Sequence, residues 1–122
     1  KAYYQAKLAQ VMTAMELAGR AGDRLEVACL RVPAVRLDAA KIAAQPALMR
    51  WLYAPKNAMA VPAEEVGAVY ARLATQEAPG SVYVDEALAA AAPPRFARDA
   101  DNRARLWDMT QEITGVAWAD GI

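Results

Sequence analysis

Tyr3 and Lys7 stand four residues apart, a spacing that puts both side chains on one face of a helix within a single turn. An ammonium beside a phenol favours the phenolate, and a tyrosine so placed can pass a proton to or from a substrate oxygen. The same pair also arises by chance on ordinary solvated helices, so its meaning depends on its surroundings. Tyr4, next to it, belongs to an apolar stripe and is expected to pack. The chain has no histidine, which excludes Ser/His/Asp and Cys/His triads and the zinc and copper sites built on imidazole. Cys29 is the single cysteine, so it forms neither an internal disulfide nor a thiolate metal site. Its place in the apolar run Val27-Ala28-Cys29-Leu30 reads as a buried, inert thiol, and no metal site is expected.

A helix must carry that pair, and the pattern supplies one. Tyr4, Leu8, Val11, Met12, Met15 and Ala18 recur at spacings of three and four, with Gly19 and Gly22 bracketing the end. Leu25 to Val32 is a short apolar run rich in β-formers, stopped by Pro33, and reads as a buried strand. Asp38 to Tyr53 is alanine-rich with Pro46 inside, predicting two short helices, the second over Ala47 to Tyr53 and closed by Pro55. Val61-Pro62-Ala63-Glu64-Glu65 opens a further helix, because proline suits a first turn and glutamates suit the positive end of the helix dipole.

Pro79-Gly80 signals a turn before a second strand, Ser81 to Asp85, while Ala87 to Ala92 fits either a loop or a frayed helix. Asp99 is placed to cap a last helix through Thr114, with Leu106, Trp107, Thr110 and Ile113 on one face and Gly115 as terminator. About four helical segments and two strands make an α/β chain. Strands that read as buried on both faces need neighbours, and this chain supplies none beyond each other. The pattern therefore predicts that residues 1–122 are part of a larger α/β domain whose sheet is missing strands.

The 122 residues carry 14 basic and 14 acidic side chains, so no general attraction to nucleic acid or anionic lipid is expected. No stretch reaches the length of a membrane span, and the first residues show no apolar signal core. The chain reads as soluble and cytoplasmic, and Lys1 in place of an initiator methionine is consistent with a fragment or a processed chain.

Across nearly the whole chain, the order of these features resembles the short-chain dehydrogenase/reductase family from its catalytic tyrosine onward. Tyr3-Tyr4-Gln5-Ala6-Lys7 matches the Tyr-x-x-x-Lys motif, and Lys1-Ala2 before it resembles the branch containing retinol dehydrogenases and light-dependent protochlorophyllide reductases. Val27 to Val35 is similar to the strand running into the family's Pro-Gly turn. Val61 to Ala68 is similar to its Pro-x-Glu-Glu helix opening, Gly80 to Val84 to its last strand, and Leu106 to Val116 to its Leu-Trp-x-x-Ser ending. Pro33-Ala34 departs from Pro-Gly, so a turn needing positive φ would be strained or reshaped there. The threonine that usually follows has no clear counterpart among Val35-Arg36-Leu37-Asp38, and Ala6 stands where serine is common.

The resemblance implies the C-terminal portion of a Rossmann-type, doubly wound parallel sheet whose N-terminal nucleotide-binding strands lie outside the chain. It implies an NAD(P)-dependent oxidoreductase that moves a hydride between NAD or NADP and a small apolar carbonyl or alcohol substrate. Tyr3 would be the general acid/base, and Lys7 would assist it and hold the nicotinamide ribose. Backbone at Pro33 and Val35 would flank the nicotinamide ring. Asp38 to Tyr53 would form a substrate lid, with Leu48, Trp51 and Leu52 suited to an apolar substrate or simply to closing a core. The parent enzyme would be a possible homo-oligomer. This chain lacks the glycine-rich phosphate loop and is expected to be inactive alone. The rival reading is a non-catalytic helical interaction module docking through apolar helix faces. Such a module is expected to melt cooperatively without dye-binding apolar surface, whereas part of a larger domain leaves apolar faces uncovered.

Overall fold

The computed structural model describes residues 1–75 and 79–117. Helix α1 spans Ala2–Ala21 and stops at Gly22, whose φ of 55° suits a residue without Cβ and whose N–H donates to the Ala18 carbonyl. A 3-10 turn over Gly22–Arg24 reverses the chain, and β1, Cys29–Leu30, runs back along the helix. Helices α2 (Ala39–Ala43), α3 (Ala47–Ala58) and α4 (Ala63–Thr75) make the crossover to β2, Tyr83–Val84. The two strands pair in parallel with Cys29 opposite Tyr83 and Leu30 opposite Val84. A 3-10 turn at Arg95–Arg98 then leads into α5, Ala100–Thr114.

Alternation along β1 sends successive side chains to opposite faces. Cys29 and its partner Tyr83 pack with Leu8 and Met15 against Val11, Met12 and Ala97, the core under α1. Leu30 faces the other way, lining a small cavity with Val66 and Val69 of α4. Helices thus cover both faces of the strand pair, giving an α/β arrangement around a minimal parallel sheet.

Helix α5 closes on α1 for reasons written in both sequences. The Asp99 carboxylate accepts from the N–H groups of Asp101 and Asn102 at 2.9 and 3.3 Å, and Gly115 ends the helix at φ 67°. Trp107 is buried in the seam, with the Arg20 guanidinium 5.0 Å from its ring centre. Glu16 joins the two helices as an ion pair, 2.9 Å from Arg20 Nε and 3.6 Å from Arg103 Nε. Arg103 Nη1 in turn donates to the carbonyls of Ala97 and Arg98 at 2.9 and 3.0 Å, fixing the 3-10 turn.

Several expectations need correction. The strand expected over Leu25 to Val32 is only two residues long, because pairing extends no further and both ends of the run are exposed. Tyr4 does not pack but is 77% exposed, and the α5 stripe turns Trp107 inward while Ile113 is 79% exposed. Helix α3 passes through Pro55 to Ala58 instead of stopping there: one amide donor is lost, yet the Pro55 carbonyl still accepts from Met59 N–H at 3.3 Å. Of the two alternatives left open for residues 87–92, the loop is the one formed. The Asp85 carboxylate accepts from Ala87 and Ala89 N–H, Leu88 turns at φ 62°, and Ala90 bridges back antiparallel to Val84.

Candidate functional site

Helix α1 brings Tyr3 and Lys7 together as the spacing predicts. The Lys7 Nζ lies 5.8 Å from the centre of the Tyr3 ring and donates to Gln10 Oε1 at 3.1 Å. Tyr3 meets Tyr4 edge to face, with ring centres 5.5 Å apart, and is 67% exposed. One turn further in, the Lys7 charge also reaches the Cys29 thiol of β1. Burial pushes that thiol above its ordinary value, and the ammonium partly opposes the shift.

Pro33 and Val35 lie beyond β1, in the stretch that leads to α2. They sit together near Val61: Val35 bridges it in parallel, and Pro33 shares with it the small cavity between β1 and α4. Among the described residues no side-chain hydrogen bond or ion pair joins them to Tyr3 or Lys7. Ala34 keeps negative φ, since Leu88 is the one described non-glycine residue with positive φ, and its carbonyl accepts from Val61 N–H at 2.9 Å. The Pro33-Ala34 turn is therefore formed without steric penalty.

The described residues do not fit a dinucleotide pyrophosphate. Such a group needs a glycine-rich strand-to-helix turn whose free N–H groups face it. Here β1 leaves through Arg31-Val32-Pro33-Ala34, and three of the four helix starts that follow, those of α2, α4 and α5, are acidic. Asp38 caps α2, Glu64 and Glu65 open α4, and Asp99 and Asp101 open α5. The Asp38 carboxyl is held below the usual carboxylate range by the Lys41 N–H and ammonium, so an anion already occupies the α2 terminus. Among the described residues no cluster of three or more Cys, Asp or Glu is arranged for a metal ion.

A more spacious concavity lies elsewhere, and the sequence reading missed it. A cleft of about 700 Å³ lies between the segment after β1 and helices α2 and α3, with Arg36, Ile42, Met49, Arg50, Tyr53 and Asn57 in its wall. The signal was present in the periodicity: positions 49, 50, 53, 54, 57 and 58 repeat on one face of α3 and all line the cleft. Leu48, Trp51 and Leu52 occupy the opposite face and are exposed, Trp51 by 74%, so the residues singled out for an apolar substrate point away from this space.

The cleft is held by polar contacts between segments. Leu37 N–H donates to Asn57 Oδ1 at 2.8 Å, Arg36 N–H to the Val61 carbonyl at 2.8 Å, and the Arg36 Nη2 to the Ala60 carbonyl at 3.1 Å. No family model, no curated protein and no solved structure matches this chain.

Proposed function

We propose that this chain works by docking: it presents apolar helix faces and an open strand edge to another polypeptide that lays a strand beside β1. The observation that carries this reading is uncovered surface on which many large apolar side chains stand exposed. A compact monomer of 13.1 kDa exposes roughly 6,400 Å², whereas this chain exposes 8948 Å². The excess, about 2,500 Å², is well above the roughly 800 Å² that one partner contributes to a standard interface. Tyr4, Leu48, Trp51, Met59 and Ile113 supply part of it.

The strand edge identifies the occupant. Cys29 and Arg31 N–H groups donate toward β2 at 2.7 and 2.8 Å, so alternation turns the Leu30 N–H and carbonyl to the opposite edge. The far side of β2 is met by Ala90, leaving the β1 edge as the place for an added strand. A self-contained module would hide its apolar surface when isolated, whereas a chain built to receive a covering strand leaves that surface open, and dye-binding fluorescence of the isolated chain tests this reading. A strong enhancement, reduced by Trp51→Glu with Leu52→Glu, is expected. A sharp cooperative melt with no dye binding would overturn it.

A second reading gives the docked pair a chemistry. Tyr3 and Lys7 sit one turn apart on α1, the Lys7 charge acts on Cys29 of β1, and helices lie against both faces of a parallel strand pair. Both features support a C-terminal portion of a doubly wound oxidoreductase in which Tyr3 exchanges a proton with a carbonyl or alcohol oxygen. Pro33 and Val35 then border the reacting region, and NAD or NADP is held by the covering polypeptide. Titration of the chain alone with NADH or NADPH, followed by fluorescence, is expected to show no saturable binding. Coding sequence upstream of Lys1 with a Gly-x-x-x-Gly-x-Gly turn and a serine shortly before Tyr3 would favour this reading over docking alone, and their absence would remove it.

A further inference from the structure

We infer that the cleft between Arg36–Leu37, α2 and α3 is a binding site for a small organic carboxylate with an apolar body. Its volume of about 700 Å³ falls within the range of small-molecule sites, and its wall is mainly apolar, with Leu37, Ile42, Met49 and Tyr53 as the larger groups. The polar groups that converge there are Arg36, Arg50, Gln45 and Asn57, and no aspartate or glutamate is among the lining residues.

The available donors set the charge of the ligand. Arg50 has no carboxylate partner among the described residues, whereas the nearby Asp38 is already paired with Lys41 at 3.4 Å. Arg36 is anchored through Nη2 on the Ala60 carbonyl, which fixes its guanidinium and leaves its other N–H groups uncommitted. Asn57 spends its oxygen on Leu37 N–H, so its amide NH₂ remains as a donor. Two guanidinium groups and free amide donors, facing an apolar wall, match a planar carboxylate that accepts paired N–H bonds while its hydrocarbon covers Ile42, Met49 and Tyr53. A neutral lipid or alcohol would offer the guanidinium donors no anionic, paired acceptor. This site is independent of the docking surface, because the exposed face of α3 carries Leu48, Trp51 and Leu52 instead.

The test is a titration of the whole chain with decanoate, decanol and decyl phosphate, read residue by residue from methyl NMR shifts. Ile42 and Met49 are expected to shift together and saturate with decanoate, while Leu48, on the outer face, does not follow the same curve. Decanol is expected to bind about tenfold more weakly. Arg50→Gln, which removes no side-chain hydrogen bond or ion pair among the described residues, is expected to bring decanoate down to the level of decanol. Equal affinity for decanoate and decanol, tighter binding of decyl phosphate, or an Arg50→Gln chain that binds decanoate unchanged would each overturn the assignment. So would shifts at Leu48 that track those at Ile42 and Met49, since they would mean adsorption to exposed apolar surface.

Discussion

Two regions of this chain close themselves in different ways. The α1–α5 pad is built on apolar burial, with Val11, Met12, Ala97 and Trp107 removed from water and a Glu16–Arg103 pair bridging the helices. The α2–α3 arm has no buried residue in either helix and is tied to the rest by backbone and amide hydrogen bonds between residues 34–37 and 57–61. Burial scales with apolar area, while an exposed hydrogen bond nets little against water. The pad is therefore expected to hold on its own, and the arm to remain adjustable around its cleft and uncovered on its outer face.

The contrast can be broken most directly from the pad side. Met12→Ala should cost about 2–5 kcal/mol, the range for truncating a buried large side chain, read as a lower denaturation midpoint by helical circular dichroism. Met49→Ala in the cleft wall, only half-buried, should cost well under half as much. Equal losses at the two positions would mean that the arm is as tightly packed as the pad.

Glu16→Ala should cost about 1–3 kcal/mol, because it leaves the largely buried Arg103 without its counter-ion. Asp99→Ala should cost about 1 kcal/mol through the lost cap of α5. Asn57→Ala should barely change the global midpoint yet speed amide exchange at Leu37, the N–H it accepts from. An unchanged exchange rate there would mean that the arm is held by something other than this bond.

The smallest expected effect concerns Cys29. Burial raises its thiol above the ordinary value, so folding favours the protonated form: stability is unaffected well below the unfolded thiol range and declines as pH rises through it. Lys7→Gln removes the opposing charge and should slow alkylation of Cys29 by a thiol reagent at mildly alkaline pH. An unaltered rate would mean that Lys7 does not reach β1.

Much of the local structure was legible in residues. The cap at Asp99, the stops at Gly22 and Gly115, the break at Pro46 and the opening of α4 each follow from a local stereochemical rule, and each stands where that rule puts it. What local rules do not contain is which apolar residue finds a neighbour. Tyr4 and Ile113 fit their helical stripes and are exposed, because a stripe specifies a face and not its cover. Leu25 and Val32 read as strand and are unpaired for the same reason.

The Tyr3–Lys7 pair was legible because four residues of helix fix their adjacency. Arg36 and Arg50 were not, because their meeting in one cleft depends on a long-range bridge between Val35 and Val61 that no periodicity announces.

Amide hydrogen exchange on the isolated chain tests the central claim most directly. The docking account predicts slow exchange in the middle of α1 and α5, around Met12 and Trp107, together with fast exchange at Leu30 on the open edge of β1. Protection at Leu30 equal to that at Met12 would mean that the strand edge is already covered within this chain, and would contradict the account.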